Sequence, residues 1–156
     1  MARHPRWARR LLSDEDFDDI VHAIHAAEAE SSAEIRVHLE RRLHRRRGSK
    51  PQDALERART VFGDLGMHRT AERHGVLIYL ALEDRKLAIV GDEGIHRRVG
   101  EGYWAQVRDI MVEKLKVATP REAILAAVQE VRRVLGEHFP RRPGDANELS
   151  DQVSVE

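Results

Sequence analysis

Apolar residues recur with two different periods along this chain, and the changes of period mark its elements. Val76 to Leu82 (VLIYLAL) is a continuous apolar run. It predicts a strand buried on both faces. Glu83, Asp84 and Arg85 make a tight polar turn, and Lys86 to Val90 reads as a second strand. Strands this close in sequence pair as an antiparallel hairpin. The second strand ends in Gly91-Asp92-Glu93-Gly94, a glycine-flanked acidic turn. Upstream, Ala33 to Glu40 alternates Ile35, Val37 and Leu39 with Glu34, Arg36, His38 and Glu40. That period of two predicts one buried face and one wet or helix-edge face, on a strand less buried than the hairpin.

Elsewhere the spacing is helical. Ser13, with Asp16 three residues on, reads as a capping-box start, and Asp14 and Glu15 suit the positive end of the helix dipole. Phe17, Ile20, Val21, Ile24 and Ala27 form the buried stripe of a helix that fades near Glu30. Pro51 opens a second helix, apolar at Ala54, Leu55, Ala58, Val61, Phe62 and Leu65, with Gly66 at its end. This helix joins the first strand to the central one, so those two strands are expected to be parallel with a right-handed crossover. A helical turn is expected over 94–99. A helix over 103–116 should turn Trp104, Val107, Ile110, Met111 and Leu115 inward. Thr119-Pro120-Arg121-Glu122 opens the last helix, which buries Ile124, Leu125, Val128, Val131 and Leu135 and is stopped by Gly136. Few strands among several amphipathic helices predict an α/β fold: a small mixed β-sheet sandwiched between α-helices, in a single domain. A basic N-terminal arm (1–12) precedes that domain (13–140), and a polar tail (141–156) follows it.

Composition narrows the function more by exclusion than by assignment. The 156 residues carry 27 Lys plus Arg against 27 Asp plus Glu, so no global field selects a partner. No cysteine is present, which removes disulfides, thiol catalysis and zinc-thiolate sites. No apolar run approaches the roughly 20 residues that cross a bilayer, and no apolar segment follows the basic start. A cytoplasmic monomer is therefore the expectation. The basic run Arg41 to Lys50 (RRLHRRRGSK) lacks aromatic residues for base stacking, so nucleic acid is disfavoured and an acidic protein partner is the alternative occupant.

Several segments, in order, carry a family resemblance. They are Ala27-Glu28 and Ala33-Glu34-Ile35; Phe62, Leu65-Gly66-Met67 and Thr70; His74-Gly75-Val76-Leu77-Ile78-Tyr79; Asp84-Arg85-Lys86; Gly91-Asp92 with Gly94-Ile95; Trp104; and Phe139-Pro140 with Asn147-Glu148-Leu149 and Asp151. This set resembles the TPM domain family, named for its thylakoid-lumen phosphatase, photosystem-repair and worm receptor-modulator members, over about Asp14 to Asp151. The resemblance implies a compact α/β fold, divalent-cation binding in some members and acid phosphatase activity in plant lumenal ones. Two departures matter. Many relatives carry a signal peptide or membrane helix, which is not seen in this sequence, and His74 stands where relatives often have Asn before the glycine of the central strand.

Candidate chemistry gathers at one end of the sheet. With strands one and two parallel and three antiparallel, the end of strand three lies beside the starts of the others. That brings Asp92 and Glu93 toward Glu34, with Thr70 on the loop into strand two and Glu28 at the end of the first helix. Calcium or magnesium wants several oxygen ligands, so Glu28, Glu34, Thr70, Asp92 and Glu93 are the candidate metal set. The alternative is a solvated acidic rim in which Asp92 caps the following helical turn. The spacing is not that of an EF-hand loop. Arg73-His74-Gly75 precedes a strand rather than following one, unlike the histidine-phosphatase triplet. No nucleophile and base pair stands out. The leading expectation is thus a cation-binding accessory or interaction module. The alternatives are a metal-assisted acid phosphatase with Asp92 as base, and an adaptor that uses its basic loop.

Overall fold

The computed structural model describes residues 4–43, 53–67, 74–140 and 153–155. In chain order these residues form α1 (Arg6–Leu11), α2 (Asp14–Glu28), β1 (Glu34–Glu40), α3 (Ala54–Asp64), β2 (Gly75–Ala81), β3 (Lys86–Gly91), α4 (Glu93–Val99), α5 (Glu101–Val117), α6 (Pro120–His138) and β4 (Ser154–Val155). The sheet runs β3-β2-β1-β4. β1 is parallel to β2 and to β4, and β2 is antiparallel to β3. This is the expected mixed sheet between helices.

Local chemistry explains the boundaries. α2 begins with a full capping box: the Asp16 amide donates to Ser13 Oγ at 3.0 Å, and the Ser13 amide to Asp16 Oδ2 at 2.9 Å. Asp53 caps α3 and Thr119 caps α6, with Pro120 in its first turn. Gly66 closes α3 at φ 70°, a conformation that suits glycine.

One layer of helix covers each face of the sheet. α3 packs on Leu77, Tyr79, Ala81 and Ala88, joined by Met67. α2, α5 and α6 cover the other face, over Ile35, Val37, Leu39, Val76, Ile78 and Leu80. The α3 face is where β1 presents its polar side chains. The expectation of a wet face on β1 is therefore corrected: Glu34, His38 and Glu40 are buried. His38 and Glu40 tolerate this because hydrogen bonds to Ser154, Arg57 and Tyr79 meet their polar atoms.

Other expectations shift as well. The basic stretch before Ser13 contains a helix whose Ala8, with Leu12 just beyond it, joins the core. Residues 154–155 of the polar tail add a strand to β1. Ile110 is 55% exposed rather than inward. Gly136 does not stop α6, which continues to His138, since a single glycine costs a helix only about 1 kcal/mol. The basic loop is described only as far as Leu43. There Arg41 and Arg42 both pair with Glu83 in the hairpin turn, at 2.8 and 2.7 Å.

Gly91, where β3 ends, is fixed by packing. A Cβ there would stand 2.7 Å from Ile95 Cγ2 and 3.3 Å from Trp104 Nε1. Gly91→Ala is expected to cost about 1–3 kcal/mol by overpacking, read as a lower urea midpoint with an unchanged slope.

Candidate functional site

At the acidic end, the register sets three residues side by side. Glu34 pairs with Gly75 across β1 and β2, and the β2–β3 register continues to Gly75 opposite Asp92. All three lie on the α3 face by the strand alternation. The Asp92 amide donates to the Gly75 carbonyl at 2.9 Å. Asp92 Oδ2 accepts from the Gly75 amide at 2.6 Å, and Oδ1 accepts from Ile95 at 3.2 Å. One buried carboxylate thus both completes the sheet and caps α4.

Gly75 leaves a notch between the two acids. A Cβ there would lie 3.3 Å from the Met67 carbonyl oxygen and 3.8 Å from Asp92 Oδ2. Burial pushes the Asp92 carboxyl above its usual range, opposed by the amides of Gly75, Ile95 and Gly94 and by nearby His74.

The other predicted ligands lie elsewhere. The Glu34 amide donates to the His74 carbonyl at 3.0 Å, toward β2. The next amide, Ile35, therefore points to the opposite edge, and there Glu28 Oε2 accepts it at 2.7 Å. Glu28 serves the far side of β1. Glu93 is exposed and pairs with Arg97 at 2.6 Å. Thr70 lies outside the described residues. Among the described residues, no group of three or more His, Asp and Glu side chains stands close enough to hold a metal ion. His74, not in the predicted ligand set, sits beside the notch, with Nδ1 3.2 Å from Ser32 Oγ and its ring 4.3 Å from that of Phe139.

Further along the same face is a buried polar cluster that single-sequence reasoning missed. Glu40 Oε1 accepts from Tyr79 Oη at 2.5 Å and from Arg57 Nε at 2.9 Å, and Oε2 accepts from Arg57 Nη2 at 2.5 Å. Burial and the bond to Glu40 push the Tyr79 hydroxyl up, so it stays protonated and donating. His38 Nδ1 lies 2.8 Å from Ser154 Oγ, and Nε2 lies 3.7 Å from Glu40 Oε2. The order serine, histidine, glutamate invites comparison with a catalytic triad. The hydroxyl geometry argues otherwise: Ser154 Oγ donates to the Val37 carbonyl at 3.4 Å and accepts from Arg36 Nε at 3.4 Å. With His38 only 1% exposed, this cluster clamps β4 and α3 to β1. The signal for it was the polar half of β1's alternation, facing an apolar helix stripe that contains Arg57.

A sequence model described as the TPM domain matches residues 8–134. The chain is similar to the BA42 protein of the psychrophilic bacterium Bizionia argentinensis, solved by NMR. The two are 33% identical with a TM-score of 0.79, over 93% of this chain and 95% of that one. The N-terminal domain of a P. gingivalis protein shares the fold at 17% identity and a TM-score of 0.63, over 85% and 82%. The N-terminal domain of the cg2496 protein from Corynebacterium glutamicum does so at 15% and 0.53, over 96% and 93%. No curated protein matches the sequence. Among the described residues, no helix is long and apolar enough to cross a membrane.

Two outcomes test these assignments. Arg57→Ala strands a buried carboxylate and is expected to cost about 3 kcal/mol or more in urea unfolding. Asp92→Asn leaves one buried amide facing an amide and is expected to cost about 1–3 kcal/mol. Because the folded pKa of Asp92 is raised, its contribution is fully present below the ordinary value of 3.8 and is lost as pH rises through the folded value. The stability gap between wild type and Asp92→Asn should therefore be widest at acid pH and narrow on the way to neutral.

Proposed function

The chain belongs to the TPM domain family, and on that footing we propose that it is an accessory or interaction module that binds a divalent cation at the Gly75 notch. The observation that carries this reading is the oxygen lining of the notch. The Met67 carbonyl and Asp92 Oδ2, with the Met67 Cε methyl between them in distance, stand around the space that a Cβ on Gly75 would fill. Glu34 is the register neighbour on the other side of Gly75. This donor set is hard and anionic, as calcium and magnesium require. Asp92 Oδ2 accepts the Gly75 amide and Oδ1 the Ile95 amide, with the Gly94 amide also directed at the carboxylate, and a carboxylate's roughly four lone-pair sites leave room for a cation.

Glu34, Asp92 and the Met67 carbonyl are the residues that would hold the ion. Calcium suits them better than magnesium, because backbone carbonyls and buried carboxylates are ordinary calcium ligands and magnesium demands a stricter octahedron. A bound cation would offset the cost of burying the Asp92 charge. It would also tie β1, β2, the end of β3 and the segment that follows α3 to one centre. Thr70, on the segment between Met67 and His74, is the further candidate ligand. Glu28 and Glu93 are not part of the proposed set, because one is engaged at the far edge of β1 and the other at the surface. The phosphatase and basic-loop alternatives have no comparable geometric support.

The test is a two-dimensional amide NMR titration with calcium, then magnesium, joined to thermal unfolding. Saturable shifts should cluster at Glu34, Gly75 and Asp92. At tenfold excess over Kd the ion should add about 1.4 kcal/mol, a rise in Tm of roughly 3–5 °C. Glu34→Gln should weaken both effects while the protein still folds. An unchanged spectrum at millimolar calcium and magnesium would remove the cation reading.

A further inference from the structure

On the opposite edge of β3 from β2, a cavity of about 120 Å³ lies between α3 and α5. Leu55 and Arg59 reach it from α3, His96 from α4, and Trp104 and Arg108 from α5, while residues 88–91 of β3 form its floor. We propose that this cavity binds a small monocarboxylate with a compact apolar body, such as one ring or a short chain. The proposal stands apart from the cation notch, shares no ligand residue with it and would survive its failure.

Three observations point to an organic anion. The first is the indole of Trp104. Its ring is buried, and Nε1 has no hydrogen-bond partner among the described residues. An indole nitrogen can only donate, and burying a donor with nothing to receive it costs free energy. Nε1 stands 3.3 Å from where a Cβ on Gly91 would be, and Gly91 itself lines the cavity.

The second is charge. Among the described residues, the charged side chains that line the cavity are basic, with Arg108 of α5 at its rim. Arg108 shares its guanidinium with Asp109, whose side chain is 71% exposed. That surface pair yields readily to an anion. The guanidinium fork matches a carboxylate.

The third is the strand edge. The bond from the Asp92 amide to Gly75 makes that pair a hydrogen-bonded one. By alternation Leu77–Val90 and Tyr79–Ala88 are hydrogen-bonded pairs too, so the peptide groups of Ile89 and Gly91 face outward, toward the cavity. The outward amides lie beside outward carbonyls, so a carboxylate must reach the amides and Arg108 while its body rests on apolar surface, which favours a singly charged, partly apolar acid. A fully hydrated dianion would lose too much solvation here. The volume compares with the cavity of roughly 150 Å³ that takes benzene. This admits a molecule of about one ring, and not a whole added strand.

The experiment titrates the full chain with sodium acetate, butyrate and benzoate, with benzyl alcohol as the neutral analogue and inorganic phosphate as the dianion. The indole Nε1–H signal of Trp104 is the readout, assigned by its loss in Trp104→Phe. The indole of Trp7 is the internal control. At least one carboxylate should shift the Trp104 signal downfield to saturation and leave Trp7 unmoved. Benzyl alcohol should bind at least about tenfold more weakly than benzoate, and Arg108→Gln should weaken carboxylate binding by about fivefold or more. Trp104→Phe removes the unmet donor together with part of a buried ring, so its loss of affinity is read on protein shown to be folded by its amide spectrum, and Arg108→Gln carries the test independently of it. If no carboxylate moves Trp104, or if benzyl alcohol or phosphate binds as tightly as the best carboxylate, the proposal is overturned.

Discussion

A row of polar side chains on the inner strand β1 constrains the rest of the α3 face. Glu34, Arg36, His38 and Glu40 alternate along one side of a strand that is hydrogen-bonded on both edges and covered by a helix. Buried charge at such a place is tolerable only when every group meets a partner. Each partner comes from a different element: Arg57 from α3, Tyr79 from β2 and Ser154 from β4. Their sequence separations from β1 differ widely, so satisfying one row of polar groups fixes the seat of a helix, the register of a neighbouring strand and the return of the C-terminal segment. The apolar face has no such specificity, because Ile, Val and Leu tolerate sliding better than a bidentate arginine does.

Much of this architecture was legible in the sequence. The capping box at Ser13, the uninterrupted apolar run of β2 and the Thr119-Pro120 start each have one dominant local cause, and local causes can be read locally. Elements fixed by distant partners were not legible. β4 is two residues long and exists because β1 offers His38 and Leu39 as partners. α1 carries three arginines among its six residues, yet Ala8 and Leu12 hold it to the core. Ile110 fits an inward stripe by spacing, but α5 packs against β3 and α6 with that position turned to solvent.

The acidic end divides in the same way. That Glu34 and Asp92 flank Gly75 follows from strand direction and register alone, and both were readable. The separation of Glu28 from them depends on which way one amide of β1 points, and sequence carries no such information. The cavity beside β3 was invisible for a related reason. Its walls come from Leu55, His96 and Trp104, residues that look like unremarkable parts of three separate helices. Only the sheet edge brings them together.

The short β4 has a consequence for how this molecule keeps to itself. Among the described residues, the two-residue β4 pairs with only the end of β1's outer side. An open strand margin is a template on which other chains can accrete. Here the Glu28 carboxylate occupies the position beside Ile35 that an incoming backbone would need. An intruding chain would have to expel that carboxylate and leave its negative charge stranded against the core. The bond from Glu28 to β1 thus closes that margin at one amide, with a side chain where a neighbouring backbone could otherwise pair.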